Sequence, residues 1–523
     1  MRVALTRGFV FWSGLAVLTL FFLPGNGEAQ GVTYLGLEPE QLVALLDLSA
    51  VDRSDGRLTE LDAQLATHPE ARLWNEKGLI LAAREEWKQA EEAFRHASHE
   101  LAAARLGLAV SLVQQGEHKD ALEVVEEPGG VDDDHRNRLR FARVLLRLHA
   151  DVKVRFSELR QELAPFLFSA SSGSSVFDLW LGLNPEREEL ESVLEALRPL
   201  GTPFAAWQRA EVLLRLGKVQ RALREIRDLE QGPSTDDELR NRILRAQARA
   251  LFQLGSDGAG QSAYRRILHR LDEPTADLLY RDIAVLASPS ERGQFPALSL
   301  EEKADFFWQF WMRRHPVPVE EVNPRLAEHY RRLDQALAEY PLQSTGHGYF
   351  TDEDTFLSYS PALPYYSSRA TFNRGPASRY WIDHRGLILL LHGEPDLRIG
   401  PRSHGGSNKT ESWAISRFQT RPLIFNFVKR PAVGEWTLVL SLAVAATRPS
   451  APDDPTAVYE ALARGVTRSY GRLYQSRIRL HPIYRQVLEV RSRRDLLRAF
   501  RAESELMASF VTAGLGSDST DYY

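Results

Sequence analysis

Residues 380–396 read Tyr-Trp-Ile-Asp-His-Arg-Gly-Leu-Ile-Leu-Leu-Leu-His-Gly-Glu-Pro-Asp. The middle of this stretch, residues 387–391, is apolar at every position, and polar turn residues border it on both sides. A short apolar run between turns is typical of a strand that is buried on both faces of a sheet. The stretch therefore predicts a central strand. Its pairing should end at Pro395, because proline has no N–H to donate to a neighbouring strand.

More strands are predicted downstream. The further apolar segments lie near residues 411–416, 421–428 and 435–446. Turn residues such as Pro422 and Gly434 separate them, and short strands joined by turns are typical of an antiparallel meander. Residues 300–340 carry helical periodicity, so we expect helices on one face of the sheet. The prediction is an α+β domain over residues 297–447.

The upstream helices have local signals of their own. Ser299 is followed three residues later by Glu302, which is the pattern of a capping box at a helix start. The aromatic residues that come next recur at helical spacing, which favours a core position over a ligand platform. They are Phe306, Phe307, Trp308, Phe310 and Trp311.

This C-terminal half, roughly residues 300–450, resembles the bacterial GWxTD-domain family. In the quoted stretch and the next strand, the matching residues are Trp381, Arg385, Gly386, Gly393, Glu394, Pro395, Asp396, Glu411 and Trp413. Upstream, they are Phe310, Trp311, Arg314, Pro316, Pro318, Tyr330, Arg331 and Arg332. The resemblance implies a family but no established reaction, so the catalytic residues stay unassigned.

The family pattern is altered at three positions. Tyr380, Asp383 and His384 stand where the family has Gly, Thr and Asp. The resemblance therefore implies that any activity that depends on the Thr–Asp pair is lost or altered here. We take Asp383 and His384, together with the matching residues from Trp381 to Trp413, as the candidate ligand-binding set.

A helical repeat is predicted over residues 30–290, where apolar residues recur at spacings of three and four. Four sets of residues resemble the tetratricopeptide repeat (TPR). They are Trp74, Gly78, Leu81, Ala90, Phe94 and Ala97; Ala109, Leu112, Gly116, Ala121 and Val125; Ala210, Leu213, Gly217, Ala222 and Ile226; and Ala248, Leu251, Gly255, Gly260 and Tyr264. One helix pair cannot bury its apolar stripe alone, so we expect a stacked solenoid. The repeats either bind a protein or peptide or serve as a scaffold without a peptide groove.

The composition limits the classes of protein and of partner. The chain has 523 residues, too many for one core, and its formal net charge is −5 at pH 7. This small charge predicts no nucleic-acid partner. The chain contains no cysteine, which excludes disulfides, thiolate metal sites, cysteine nucleophiles and a lipidated cysteine.

The N-terminus has the pattern of an export signal. Arg2 and Arg7 precede an uncharged apolar run, and the small residues Gly27 and Ala29 follow it. This order is typical of a cleaved signal peptide, here over residues 1–29. The run is shorter than the roughly 20 residues that span a bilayer. We therefore expect an extracytoplasmic protein, periplasmic or secreted, and the alternative is an uncleaved N-terminal membrane anchor.

His392, Glu394 and Asp396 form a metal site only if the turn that joins them folds tightly. His384 would lie about 26 Å from His392 along an extended strand, so it is not part of such a site. The favoured interpretation is that the two carboxylates accept backbone N–H groups of the turn or pair with nearby arginines. No metal and no cofactor is predicted.

Asp383 and His384 resemble part of a hydrolase triad, which would place a catalytic cleft near residues 383–396. However, the chain has no Gly-x-Ser-x-Gly elbow, and adjacent residues of a strand point to opposite faces. The pattern therefore favours an exposed turn at these two residues.

A proline-rich linker precedes a basic helical tail over residues 456–512, in which arginines outnumber carboxylates. The tail is a candidate contact for an acidic partner or an anionic membrane surface. The favoured interpretation is that it docks on the protein's own acidic surface.

These patterns predict a multidomain protein: an all-α TPR-like helical solenoid, an α+β domain with an antiparallel sheet, and a helical C-terminal tail. We expect an exported, non-enzymatic interaction scaffold. The alternatives are an envelope hydrolase with a cleft near residues 383–396, and a structural subunit of an envelope complex.

Overall fold

The computed structural model describes residues 51–126, 133–149, 155–164, 173–230, 237–342, 382–403, 409–416, 422–429, 436–439 and 467–489, with single residues between 42 and 506. These residues form two compact units, one up to Leu183 and one from Asn184 onward. Most are helical, and their one sheet is antiparallel. The prediction of a largely helical chain with an antiparallel sheet near its C-terminus is confirmed. The domain division predicted between residues 290 and 297 falls inside the second unit.

The first unit is built of consecutive helices. They are α1 (Asp55–Thr67), α2 (Ala71–Ala83), α3 (Trp87–Ala97), α4 (Ala102–Gln114), α5 (His118–Glu126), α6 (Asp133–His149), α7 (Phe156–Leu163) and α8 (Gly173–Gly182). Each helix packs against the next, α2 also contacts α4, and α4 contacts α6. These are the contacts expected of successive helical hairpins.

Phe94 of α3 fixes the packing of three helices. Its ring is fully buried. A Cβ added at Gly78 of α2 would lie 2.6 Å from this ring, and one added at Gly107 of α4 would lie 2.5 Å from it. The ring therefore fills the space that both glycines leave, so that α3 approaches both neighbours closely. The repeat pattern included Gly78 and Phe94, but not Gly107.

The second unit begins with more helices. They are α9 (Arg187–Leu197), α10 (Pro203–Arg215), α11 (Val219–Glu230), α12 (Asp237–Gln253), α13 (Asp257–Leu268), α14 (Glu273–Ile283), α15 (Pro289–Gln294), α16 (Leu300–Arg313) and α17 (Pro324–Glu339). The predicted capping box at the start of α16 is present, with Ser299 and Glu302 bonding each other's backbone N–H groups. The aromatic face of α16 is core, since Phe307, Phe310 and Trp311 are fully buried.

One turn recurs in both units. In each copy of this turn, one residue adopts the left-handed backbone conformation: Glu85 (φ 63°), Gly116 (φ 84°), Gly217 (φ 70°) or Gly255 (φ 72°). In each turn the next residue donates its N–H to a carbonyl five positions earlier: Glu86 to Leu81 at 2.9 Å, Glu117 to Leu112 at 2.9 Å, Lys218 to Leu213 at 2.8 Å and Ser256 to Leu251 at 2.9 Å. This bond is that of a Schellman C-cap. The helix–turn–helix unit that the sequence spacing predicted therefore recurs four times.

The sheet consists of β1 (Leu397–Ser403), β2 (Lys409–Ile415), β3 (Leu423–Lys429) and β4 (Trp436–Val439). Its strand order is β1-β2-β3-β4 and all pairs are antiparallel. The predicted meander is therefore confirmed for β2, β3 and β4. β1 lies in a segment where the sequence predicted no strand.

The prediction of a central strand at residues 387–391 is wrong. These residues lie in helix α18 (His384–His392). Asp383 caps its start, because one carboxylate oxygen accepts two backbone N–H groups at 2.9 and 3.2 Å. Gly393 ends it with φ 81°. An apolar run that is buried all round fits a short helix as well as a strand, so the two caps decide the structure.

Helices cover both faces of the sheet. On one face, the ring of His392 in α18 stacks on Phe425 of β3, with centroids 5.3 Å apart. On the other lie α19 (Thr467–Gln475) and α20 (Ile483–Glu489). From this side the Tyr484 hydroxyl donates to Asn426 at 3.0 Å. The described part of the basic tail thus packs within the protein, and its Arg477 donates hydrogen bonds to the hydroxyls of Ser412 and Thr410 in β2.

Candidate functional site

Asp383 lies at the centre of the predicted site and is 4% exposed, so the prediction of an exposed turn is wrong. Its second carboxylate oxygen pairs with the Arg385 guanidinium at 2.6 Å. Burial raises the pKa of Asp383 above its ordinary value, although Arg385 and the two capped N–H groups act in the opposite direction. Trp381 lies outside the described residues.

Two arginines meet on one buried carboxylate. Glu411 of β2 is 0% exposed. Its Oε2 lies 3.3 Å from Arg385, and its Oε1 pairs with Arg398 of β1. The indole N–H of Trp413 donates to the same Oε1 at 2.8 Å. These three donors replace the water that Glu411 loses on burial, as a buried carboxylate requires.

We call Asp383, Arg385, Arg398 and Glu411 the Glu411 cluster. Aromatic rings border it, while the Arg398 side chain remains 41% exposed. The Arg385 guanidinium lies 4.9 Å from the ring centroid of Tyr340 and 4.5 Å from that of Trp436, and Arg398 lies 5.5 Å from that of Trp413. Cations over aromatic faces gain further stabilisation where water is excluded. Two arginines and two carboxylates give the cluster a formal charge of zero, and it joins α18 to β1 and β2.

His384 and Gly386 hold α18 against its neighbours. Nδ1 of His384 accepts the backbone N–H of Leu438 in β4 at 2.8 Å, so that nitrogen bonds the sheet rather than Asp383. A Cβ added at Gly386 would lie 2.9 Å from Ile382 and 3.1 Å from Tyr340. Only glycine allows this close approach without a shift of the neighbours.

The acidic turn after α18 is separate from the Glu411 cluster. Glu394 is exposed and accepts a hydrogen bond from Gln335. Asp396, also exposed, accepts the backbone N–H of Ser416 at 2.5 Å. Pro395 lies between them, and strand pairing starts after it rather than ending there. The sequence interpretation expected N–H groups of the turn or nearby arginines as partners, whereas these contacts come from Gln335 and from Ser416 at the end of β2.

His392 lies at the other end of α18, next to Gly393. It is 9% exposed, and its Nε2 has no hydrogen-bond partner among the described residues. Burial lowers the pKa of His392 to about 4, and the charges of Arg332 and Arg325 lower it further. Gly393 allows the approach of Arg332, because a Cβ there would lie 2.8 Å from its guanidinium.

Helix α18 brings His384 closer to His392 than an extended strand would. Eight residues of helix place His384 about 12 Å from His392 rather than 26 Å. Even so, the two rings contact different strands. His384 accepts a hydrogen bond from β4, and His392 stacks on Phe425 of β3. In the described ranges, no group of three or more His, Asp and Glu side chains is placed to hold a metal ion.

A second ion-pair cluster, which the sequence did not predict, joins four helices of the second unit. Arg249 of α12 is 4% exposed and pairs with Glu211 of α10 at 2.8 Å and with Asp334 of α17 at 2.5 Å. Arg245 of α12 pairs with Asp282 of α14 at 2.7 Å. Burial raises the pKa of Asp282, but Arg245 outweighs this and holds it below its ordinary value.

The only sequence signal for this second cluster is the spacing of the arginines. Arg242, Arg245 and Arg249 recur at three and four, which places them on one face of a helix. Arg242 pairs with Glu238 of its own helix, but the acidic partners of Arg245 and Arg249 lie on three other helices, and no spacing along the chain connects them. Position in the fold alone brings the two sets together.

No protein-family model, no curated protein and no solved structure matches this chain. The likeness to the GWxTD and tetratricopeptide families therefore depends on the residues quoted from the sequence. In the ranges that the structure describes, none of the helices is both long enough and apolar enough to cross a bilayer.

The Glu411 cluster has the chemistry of a structural link. All four of its carboxylate oxygens accept at least one hydrogen bond from within the protein. A general base or a nucleophile needs a lone pair that faces a substrate. These oxygens instead hold the start of α18 against the sheet.

Proposed function

We propose that the protein is an exported, non-enzymatic scaffold that binds another protein through its helical hairpins. The recurring Schellman turn carries this proposal, because four copies of one helix–turn–helix unit are the building plan of repeat proteins. Stacked pairs of this kind present long, regular surfaces, and such surfaces serve as recognition faces.

The partner binds helices α2 to α6 of the first unit. The corresponding helices of the second unit are already covered, because α17 packs on α12 and α13. Asp334 of α17 pairs with Arg249, Arg331 pairs with Asp257 at 2.7 Å, and the Tyr330 ring stacks on Phe252 at 5.6 Å. A helix of the same chain thus occupies the position that a partner would take there.

The region from residue 382 to residue 442 serves as a rigid module rather than as a catalytic centre. Its support is the Glu411 cluster, in which every carboxylate oxygen accepts at least one hydrogen bond from within the protein. The hydrolase alternative needs an acid, a base or a nucleophile open to a substrate, and the geometry around residues 383–396 gives no specific support for one.

Photo-crosslinking in the cell that naturally makes the protein tests this proposal. A photoreactive amino acid is placed in the full-length chain at exposed positions of the first unit: Arg72 of α2, Lys88 of α3 and Lys119 of α5. Glu195, an exposed residue of α9, is the control position. We expect one recurrent protein adduct from the first-unit positions and none from the control. Absence of adducts at all three positions would reject the scaffold.

Export is tested in the same cells. Fractionation should recover the chain outside the cytoplasm, and N-terminal sequencing should find a mature start near Gln30. A full-length chain in the cytoplasm would reject the exported part of the proposal and leave the scaffold part intact.

A further inference from the structure

Two of the three most exposed large apolar side chains in the described residues lie in one loop. In those residues only three large apolar side chains are exposed by more than a third: Leu254 at 42%, Val317 at 39% and Val319 at 93%. The last two lie in the six-residue exposed loop Pro-Val-Pro-Val-Glu-Glu at residues 316–321, between α16 and α17. Single exposed apolar residues are ordinary, but two valines side by side with two prolines form a local apolar tip.

The buried imidazole ring of His315 holds this loop, residues 316–321, which we call the docking loop. His315 is 6% exposed, and its Nδ1 accepts the backbone N–H of Val317 at 3.2 Å. Its Nε2 hydrogen-bonds the carbonyl of Glu320 at 3.1 Å. The Glu320 N–H in turn donates to the Val317 carbonyl at 3.0 Å. The imidazole therefore bridges the two ends of the tip.

A second set of bonds fixes the far end of the loop to α13. The Gln261 side chain donates to the Glu321 carbonyl at 2.7 Å and accepts the Asn323 N–H at 2.8 Å. Gly258 of the same helix lies under Val322, since a Cβ there would be 3.4 Å from it. Leu254, the third exposed apolar residue, lies in the turn that leads into this helix. A loop tied at both ends loses little conformational entropy on binding, because it is already ordered.

The tip also carries uncompensated charge. Glu320 and Glu321 are exposed, and neither takes part in an ion pair among the described residues. The two arginines that precede the loop, Arg313 and Arg314, are both committed to Glu291 at 2.8 Å, and Arg325, which follows the loop, is buried. The loop thus offers two valines and two prolines beside two free carboxylates.

We propose that residues 316–321 dock a partner protein that has an apolar pocket bordered by Lys or Arg side chains. Val317 and Val319 enter the pocket, and Glu320 and Glu321 pair with its basic rim. Apolar anchors supply most of the affinity at such contacts, while rim charges govern the rate of association and its salt dependence. This site is separate from the binding face proposed on α2 to α6.

The test has two stages, both with the full-length chain. A photoreactive phenylalanine analogue replaces Val319 in the native cell, and mass spectrometry locates the crosslinked peptide on the partner. The purified partner is then titrated against the wild type, Val317→Ser/Val319→Ser and Glu320→Gln/Glu321→Gln. Glu301→Gln/Asp305→Asn is the matched control, because it removes the same charge from exposed positions of α16.

We expect the crosslink to map beside an apolar pocket with Lys or Arg around it. The double serine variant should weaken binding at least tenfold. The double glutamine variant should weaken it several-fold at low salt and reduce the salt dependence, and the control should bind as the wild type does. No adduct, an adduct only with a second copy of this chain, or unchanged affinity of the serine variant would overturn the proposal. The crosslinking positions in the first unit test the scaffold proposal separately, so failure of one proposal can be told apart from failure of the other.

Discussion

Asp383 illustrates how one residue sets local structure. The GWxTD pattern has threonine at this position, and both residue types are good helix N-caps, because each has a short side-chain oxygen that can accept backbone N–H groups. The carboxylate does more, since its second oxygen also pairs with Arg385. A carboxylate at this position thus both starts the helix and brings a negative charge to the Glu411 cluster.

The Glu411 cluster gives the first prediction. Glu411→Gln should lower the free energy of unfolding of the second unit by about 3 kcal/mol, because the largely buried Arg385 loses a fully buried carboxylate partner and Arg398 loses the same partner. Urea denaturation followed by circular dichroism measures this. Glu301→Gln, at an exposed position of α16, should change stability by about 0.5 kcal/mol or less. A similar effect of both substitutions would contradict the structural role of the cluster.

Glu85 gives the second prediction. It holds φ at 63°, where the other three recurring turns use glycine. Glu85→Gly should therefore stabilise the turn by about 0.5–1 kcal/mol, because glycine adopts this conformation without a Cβ clash. Hydrogen exchange of α2 and α3 should slow about two- to fivefold. Gly116→Ala, the reverse change in the next turn, should speed exchange of α4 and α5, and slower exchange there would contradict the argument.

His392 gives the third prediction, on pH. Its folded pKa is about 4, below the ordinary 6.5. Between these values the unfolded chain binds a proton that the folded ring does not, so stability is complete above pH 6.5 and falls as the pH decreases toward 4. At pH 5 the loss is about 2 kcal/mol.

His392→Phe checks this, because phenylalanine can still stack on Phe425 but does not titrate. The difference in unfolding free energy between pH 7 and pH 5 should be about 2 kcal/mol smaller in this variant than in the wild type. An equal pH dependence in the two proteins would show that His392 is not buried as a neutral ring.

At the scale of elements, helix α18 is the instructive case. Its sequence is apolar enough to serve as a strand, and the mean strand is about as long as this run. The caps at Asp383 and Gly393 favour the helix. The sheet still has four strands, because residues 397–403 form β1, the edge strand beside β2.

The contact of three helices on Phe94 gives the fourth prediction. Gly107→Ala should lower stability of the first unit by about 1–3 kcal/mol, because its Cβ would lie 2.5 Å from the ring. Adding Phe94→Leu should recover part of this loss, since the smaller side chain makes room. The control is Gly56→Ala in α1, where a Cβ meets nothing within 4 Å and should stabilise by about 0.5–1 kcal/mol. Chemical denaturation of the wild type, these three variants and Phe94→Leu alone decides, and additive losses in the double variant would contradict the close contact.

At the scale of the whole molecule, the helices from Arg187 to Ile283 belong to the same compact unit as the sheet. The sequence favoured a different division, because the repeat pattern ends near residue 290. Ion pairs and packing between α12 and α17 join the two segments that the sequence pattern separated. Two predicted segments thus form one core, which extends from Leu244 to Val487.

This organisation gives the fifth prediction. Gly260→Ala places a Cβ 2.5 Å from the Phe252 ring in α12, and Glu411→Gln disturbs the sheet. Both should shift one unfolding transition in calorimetry, because the two sites share one core. Gly107→Ala should shift a different transition. If Gly260→Ala instead moved the transition that Gly107→Ala moves, the division at Leu183 would be wrong.

The amino-acid sequence by itself determined the local features of this protein. It predicted the repeating helical turns, the capping box at Ser299, the aromatic core of α16 and three of the four strands, because each depends on residues that are close along the chain. Tertiary structure alone decided which distant groups meet: Glu411 with Arg385 and Arg398, Arg249 with Asp334, and residues 387–391 as a helix. Long-range pairing depends on where the elements pack in space, and no periodicity along the chain records that position.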